Sequence, residues 1–170
     1  MKITILTTGG TIEKTYNEQD GSLKNYHTIL PKMLVGLRLP DLSITHRQVV
    51  FKDSLEMTSD DRQHILVATR AALPTSDAIV ILHGTDTLAE TGELLYREIP
   101  DLTVPVIITG AMRPYEFRDT DALQNVIESL LAARLVTAGV YVSMHNRVLA
   151  FPGVVKDRLH LTFTKAGSSL

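Results

Sequence analysis

Short apolar runs and helix-patterned segments take turns along this chain, and the clearest runs end in loops rich in glycine and threonine. That alternation constrains the fold more than any other feature. Parallel strands need long crossovers, usually helical, and a sheet covered by those helices buries its strands on both faces. Strands are expected at Ile3 to Leu6, Ile44 to Phe51, Ala78 to Leu82, Val104 to Thr109 and Val140 to Met144. His145-Asn146-Arg147 reads as a turn into Val148-Leu149. Between them, Thr58-Ser59-Asp60-Asp61 offers a cap and an acidic first turn for a helix carrying Ile65, Leu66, Ala68, Ala72 and Leu73 inward and ending before Pro74. A second helix is expected over Thr87 to Ile99, stopped by Pro100. The longest covers Asp119 to Val136, with Leu123, Val126, Ile127, Leu130 and Leu131 at helical spacing. The expected architecture is α/β: an open, mostly parallel sheet with helices on both faces, Rossmann- or flavodoxin-like, in a single domain.

Two segments resist the pattern. Glu13 to Asn25 is polar, contains Asp20-Gly21-Ser22, and suits a mobile lid better than a helix. The tail after Gly153 has no firm assignment. With 170 residues and 44% hydrophobic content the chain has room for one sizeable core. A formal net charge of −2 supplies no basic field for phosphate backbones, so nucleic acid is not an expected partner. Without cysteine there is neither a thiolate nucleophile nor a Cys-based zinc site, and the six histidines lack ligand spacing. No apolar run reaches membrane-spanning length, and the first one is too short for a signal-peptide core. The expectation is a cytoplasmic protein with no metal, no cofactor and no membrane partner.

In an open parallel sheet, ligands bind beyond the carboxyl ends of the strands, where the glycine–threonine loops fall. Thr7-Thr8-Gly9-Gly10-Thr11-Ile12 follows the first strand and His83-Gly84-Thr85-Asp86-Thr87 the third. Gly9-Gly10 permits tight backbone geometry and close approach to a ligand, or else makes a simple packing turn. Asp86 reads either as an acceptor for a ligand ammonium or as a cap of the following helix. Neither loop has dinucleotide or phosphate-loop spacing, which argues against a nucleotide-binding module. Thr109-Gly110-Ala111-Met112-Arg113-Pro114 ends the fourth strand in the same way, and Asp53-Ser54 lies just past the second. Arg113 suits a scaffold role between loops, and His83 a structural one. Glu116 to Asp121 reads as a charged loop leading into a capped helix. Lys156 by itself reads as a surface lysine. A base there would need its pKa brought from about 10.4 to roughly 7–8.

Thr-Gly-Gly-Thr-Ile at 8–12, Asp-Ser-x-x-Met at 53–57, His-Gly-Thr-Asp-Thr at 83–87 and Thr-Gly-Ala-Met-Arg-Pro at 109–114 follow in this order. Together they resemble the N-terminal domain of the bacterial-type L-asparaginases, over nearly the whole chain. The resemblance implies hydrolysis of the side-chain amide of L-asparagine, and less efficiently L-glutamine, to the acid and ammonia. By motif, Thr11 aligns with the family's first catalytic threonine, and Thr85, Asp86 and Lys156 with its Thr-Asp-Lys set. Ser54 matches the residue that holds the substrate α-carboxylate, and Asp86 also meets the α-ammonium. Gly10, Asp53 and Gly84 complete the expected substrate contacts. Thr11 is favoured as nucleophile and Tyr16 as its lid partner, with Tyr26 the other candidate tyrosine; direct water attack driven by Thr85 and Lys156 uses the same residues.

The resemblance also exposes departures. Most of the family carries a C-terminal domain that 170 residues cannot contain, and in those relatives a neighbouring subunit's C-terminal domain helps complete the site. Residues 1–170 are therefore expected to be one catalytic domain of the N-terminal type, with no second domain, in a homodimer or higher homo-oligomer joined near Asp119 to Val136. The rival readings are a fragment of a two-domain enzyme and an amino-acid-binding paralogue without turnover. Asp157 stands where threonine is usual, and Leu55-Glu56 fills a position where polar residues are commoner, with Glu56 available for an acidic role.

Overall fold

The computed structural model describes residues 1–168. In chain order the elements are β1 (Lys2–Gly9), β2 (Thr15–Tyr16), β3 (Leu23–Lys24), α1 (Leu30–Val35), β4 (Ser43–Lys52), α2 (Ser59–Ala72), β5 (Ala78–Leu82), α3 (Leu88–Glu98), β6 (Pro105–Thr109), α4 (Ala122–Leu135), β7 (Gly139–Met144), β8 (Arg147–Ala150), β9 (Val154–Asp157) and β10 (Thr162–Lys165). Short 3₁₀ turns sit at Thr11–Glu13, Ser54–Glu56 and Leu73–Thr75. The main sheet runs β4-β1-β5-β6-β7-β8; its first five strands are parallel, and β8 is antiparallel to β7. Counting only those five in chain order, the arrangement is 2-1-3-4-5, the flavodoxin-like order. The strand order therefore reverses between β1 and β5, and the crevice at that switch point lies between their carboxyl ends.

The two central strands are buried at every position, as apolar runs covered on both faces require. One face packs α2 and α3 through Ile65, Leu66, Leu88 and Leu95 against Leu6, Ile79, Ile81 and Ile108. The other packs α1 and α4 through Leu30, Met33, Val126 and Leu130 against Ile3, Ile5, Val80 and Ile107. Helices thus cover both faces, as the alternation predicts. In α2, Thr58 and Asp61 form a reciprocal capping box, and Pro74 falls in the 3₁₀ turn that follows the helix. The β7–β8 hairpin turns on His145 and Asn146, both left-handed at φ 54° and 59°.

Three expectations change on contact with the structure. Ile127 and Leu131 of α4 face outward; its inward face is Ala122, Val126, Leu130 and Ala133. The polar segment after the first loop begins with a 3₁₀ turn in which Glu13 is fully buried, and the β2–β3 ribbon follows only afterwards. The unassigned tail is an antiparallel hairpin, β9–β10, with Lys156 opposite Phe163. Among the described residues no helix is long and apolar enough to cross a membrane.

Candidate active site

The loops after β1, β4, β5 and β6 meet at the switch point, and glycine is what lets them meet. Gly10 is left-handed at φ 77°, and a Cβ there would overlap the backbone of Gly84. On Gly84 itself a Cβ would fall 2.5 Å from both Cβ and Oγ of Ser54. A Cβ on Gly110 would overlap the His83 carbonyl and lie 3.1 Å from Thr85 Cγ2. The backbones thus stack in close contact, which brings the turns that carry Thr11, Ser54 and Thr85 side by side.

His83 holds the third loop from beneath. It is fully buried, and desolvation pushes its pKa down to about 4; the Gly84 carbonyl opposes the shift and the Arg62 charge adds to it. The ring is therefore neutral at neutral pH. Its Nδ1 donates to the Gly84 carbonyl at 2.8 Å, which leaves Nε2 to accept from the Thr91 hydroxyl at 2.9 Å. The structural role expected of His83 follows from that geometry.

Thr85, Asp86 and Lys156 form a contact set. Lys156 Nζ donates to Thr85 Oγ1 at 2.7 Å and to Asp86 Oδ1 at 3.0 Å. Its side chain is only 13% exposed, so the surface placement read from its local sequence is corrected: the β9–β10 hairpin turns it under the sheet edge. Arg158 Nη1 reaches the same Asp86 oxygen at 3.2 Å. Thr87 donates its hydroxyl to the Ser54 carbonyl at 2.9 Å, tying the loop after β4 to the loop after β5. Asp86 accordingly binds cations rather than capping α3.

Ser54 Oγ is buried and has no hydrogen-bond partner among the described residues. A buried hydroxyl without a partner costs roughly 1–3 kcal/mol, so it marks a place where a ligand acceptor is favoured. Asp53 caps its own 3₁₀ turn by accepting from Leu55 N–H at 3.0 Å and pairs with Lys14 at 2.6 Å. Burial pushes the Asp53 carboxyl up, but Lys14, the Leu55 N–H and the Lys156 charge outweigh it and leave it below its ordinary value. Its charge is thus engaged by the protein. Leu55 and Glu56 are exposed beside it, Glu56 lining a recess of about 250 Å³ with Lys14, Asn25, Lys52 and Asp53.

Thr11 stands half-buried on its 3₁₀ turn directly after Gly10. The ribbon tyrosines do not reach it in this conformation. Tyr16 is 58% exposed, with its hydroxyl beside Gly21 and its backbone N–H donating to Glu116 at 2.8 Å. Tyr26 bonds through its hydroxyl to Ser22.

Two supports escaped the sequence reading. Glu13 accepts the Gly9 N–H at 3.2 Å and the Thr28 hydroxyl; burial raises its pKa against those bonds. Asp121 follows a loop in which Arg113 pairs with Asp119, an exposed contact within that loop rather than the tie between loops expected of Arg113. Instead of capping α4, Asp121 reaches back to accept N–H groups of Met112 at 3.0 Å and Arg113 at 3.0 Å, and His145 Nε2 at 2.8 Å. Burial alone would raise its carboxyl, but His145 and those N–H groups hold it at about 2. Buried Asn125 joins the brace, donating to the Gly110 carbonyl at 2.9 Å. Aspartate and asparagine four positions apart at a helix start were the available signal. Among the described residues no cluster of His, Asp and Glu could hold a metal ion. A larger cleft, about 570 Å³, opens at the opposite end of the strands near Tyr96, Tyr141 and Phe151, away from these loops.

Comparison with known proteins matches this arrangement. The thermostable L-asparaginase of Thermococcus kodakarensis superposes with a TM-score of 0.90 at 31% identity, covering 99% of this chain and 52% of that one. By sequence, the L-asparaginase of Thermococcus kodakarensis is 34% identical over 154 residues, 88% of this chain and 45% of the relative. A glutamyl-tRNA(Gln) amidotransferase subunit of Methanobrevibacter smithii is 31% identical over 147 residues, 85% of this chain and 33% of the relative. The chain thus spans less than half the length of these curated relatives. The family model described as Asparaginase, N-terminal matches residues 2–161. With that match over nearly its whole length, and its loops meeting at the switch point of the same fold, the chain belongs to the asparaginase family.

Proposed function

We propose that this chain is a catalytic domain that hydrolyses the side-chain amide of L-asparagine to L-aspartate and ammonia. The observation that carries the reading is the 2.7 Å contact from Lys156 to Thr85, bound to Asp86 and set at the crevice where Gly10 and Gly84 touch. A hydroxyl in contact with a lysine can lose its proton to it when the lysine is neutral, or pass one on. Binding alone would need neither both threonines nor the lysine.

In the proposed sequence, Thr11 Oγ attacks the amide carbon and its proton goes to the departing nitrogen, which leaves as ammonia. The resulting ester on Thr11 is cleaved by water, whose proton passes to the Thr85–Lys156 pair; the acid forms and Thr11 regains its proton. Ser54 and Asp86 hold the substrate α-carboxylate and α-ammonium, with the backbones of Gly10 and Gly84 as further substrate contacts. The β2–β3 ribbon brings Tyr16 over Thr11 when it closes and shields the crevice from bulk solvent. The Lys156–Thr85 contact also favours a second order of events, in which that pair drives water directly onto the amide. L-Glutamine is taken as the weaker substrate from the family resemblance, and its one extra methylene sets the scale of the difference at roughly 1–3 kcal/mol.

The relation to an amidotransferase subunit extends the reading to ammonia release for a partner. A homodimer is part of the proposal. Its support is the apolar stripe Ile127, Leu131 and Leu135 on the outer face of α4, continued by exposed Val148 on β8. Analytical ultracentrifugation of an active sample tests it; monomer alone removes it. Ammonia release from L-asparagine and L-glutamine in parallel, with Thr11→Val and Lys156→Met as controls, tests the activity. Release dependent on both residues is expected. No release from folded protein leaves a binding domain, or one requiring further chain, as the reading.

A further inference from the structure

The arrangement around Asp86 is over-supplied with positive charge. Its Oδ1 accepts from Lys156 at 3.0 Å and from Arg158 at 3.2 Å. The two cations differ in freedom. Lys156 is 13% exposed and is also held by Thr85, whereas the Arg158 side chain is 70% exposed. Arg158 is the first turn residue after β9, two positions beyond Lys156, and the turn leaves both cations on the same carboxylate oxygen. A ligand ammonium arriving at Asp86 meets a carboxylate whose charge is already shared by two cations, both on Oδ1. Lys156 cannot be the one to yield without abandoning Thr85.

We propose that Arg158 is a specificity-determining residue that sits in the ammonium seat and is displaced by the ligand's own ammonium. This rests on the reading that Asp86 receives that ammonium. Arg158 then acts as a competing counter-ion. It weakens capture of ligands bearing an α-ammonium, and it does not compete with dicarboxylates or half-amides that lack one, beside which its guanidinium stays on Asp86. An exposed ion pair is worth roughly 0.2–1 kcal/mol, or about 1.4- to 5-fold in affinity, so the effect is modest and directional.

The test compares L-aspartate with succinate, which differ by the ammonium group, using calorimetry on the wild-type protein, Arg158→Gln and Arg158→Lys. In Arg158→Gln the preference for L-aspartate over succinate should rise about two- to fivefold, and Arg158→Lys should keep the wild-type preference. The ratio of KM for L-asparagine to that for succinamate should fall by the same factor in Arg158→Gln. Loss of general positive charge would weaken both members of each pair together and leave the ratios still, which overturns the proposal. If the wild-type protein binds both ligands but the ratio does not move, Arg158 is no competitor, although the site reading survives. If it binds neither, both fall.

Discussion

Two walls face the same crevice and are built in opposite ways. The wall after β5 is a stack of contacts: buried His83 fixes the Gly84 carbonyl, Gly84 lies on Ser54, and Thr85 and Asp86 are bonded to Lys156. The wall after β1 starts as tightly, with Gly10 against Gly84, but past Glu13 it becomes a ribbon of two two-residue strands, with Tyr16 on it and Tyr26 just beyond it both exposed. Thr11 sits at the junction. In the proposed reading, the groups assigned to proton transfer are therefore set in place before a ligand arrives, whereas the cover over Thr11 is left to a segment with little buried surface. On that proposal, preorganisation is concentrated where charge would develop, and the thinly packed segment lies where substrate would enter.

The largest effect should come from the first wall. Thr85→Val and Lys156→Met should each lower turnover about 10²- to 10⁴-fold with the melting temperature nearly unchanged, measured by ammonia release and calorimetry. Thr11→Val should match them; near-normal turnover in that variant would remove the ester intermediate and leave direct water attack. Next come the glycines. Gly10→Ala must place a Cβ into backbone at a left-handed φ, and a loss of roughly 2–4 kcal/mol is expected in denaturant unfolding. Gly21→Ala in the ribbon meets only the Tyr16 hydroxyl at 3.8 Å, so strain at φ 71° alone should cost about 1 kcal/mol. Equal costs would show that the two walls are not built differently.

Asp121 gives the contrast a pH signature. Its carboxyl is held at about 2 in the folded protein against an ordinary 3.8, so the folded state binds fewer protons than the unfolded one between those values. The stabilisation is on the order of 1–2 kcal/mol once solvent screening is allowed for. It is present above pH 4 and is lost as pH falls towards 2. Asp121→Asn should start less stable and show a flatter acid limb; an unchanged limb would mean the brace carries no such energy. The smallest expected effect belongs to the ribbon. Tyr16→Phe should lower kcat about tenfold and Tyr26→Phe less than twofold, and the reverse order would exchange their roles.

The sheet was legible because its strands are buried on both faces. Ala78 to Leu82 has no polar residue to blur its bounds, and the strand matches residue for residue. The outward turn of Ile127 and Leu131 was not legible, because a helix apolar on two sides gives periodicity no direction. The four loop motifs pointed to the family through their order, yet their meeting point depends on strand order, which sequence spacing does not encode. Lys156 shows the limit most clearly. Its neighbours carry no apolar pattern, and only the pairing of β9 with β10, a contact between distant positions, turns it inward. Asn125 and Asp121 read as ordinary helix-start residues because their partners lie on other loops.

The β9–β10 hairpin has a consequence for biogenesis. A ribosome delivers the five parallel strands and all four crevice loops before it delivers Lys156, so the sheet can close while the site still lacks its cation. During that interval Asp86 faces the crevice as an uncompensated carboxylate. In the proposed reading the nascent domain therefore gains its parallel sheet before it gains the lysine that the reaction needs.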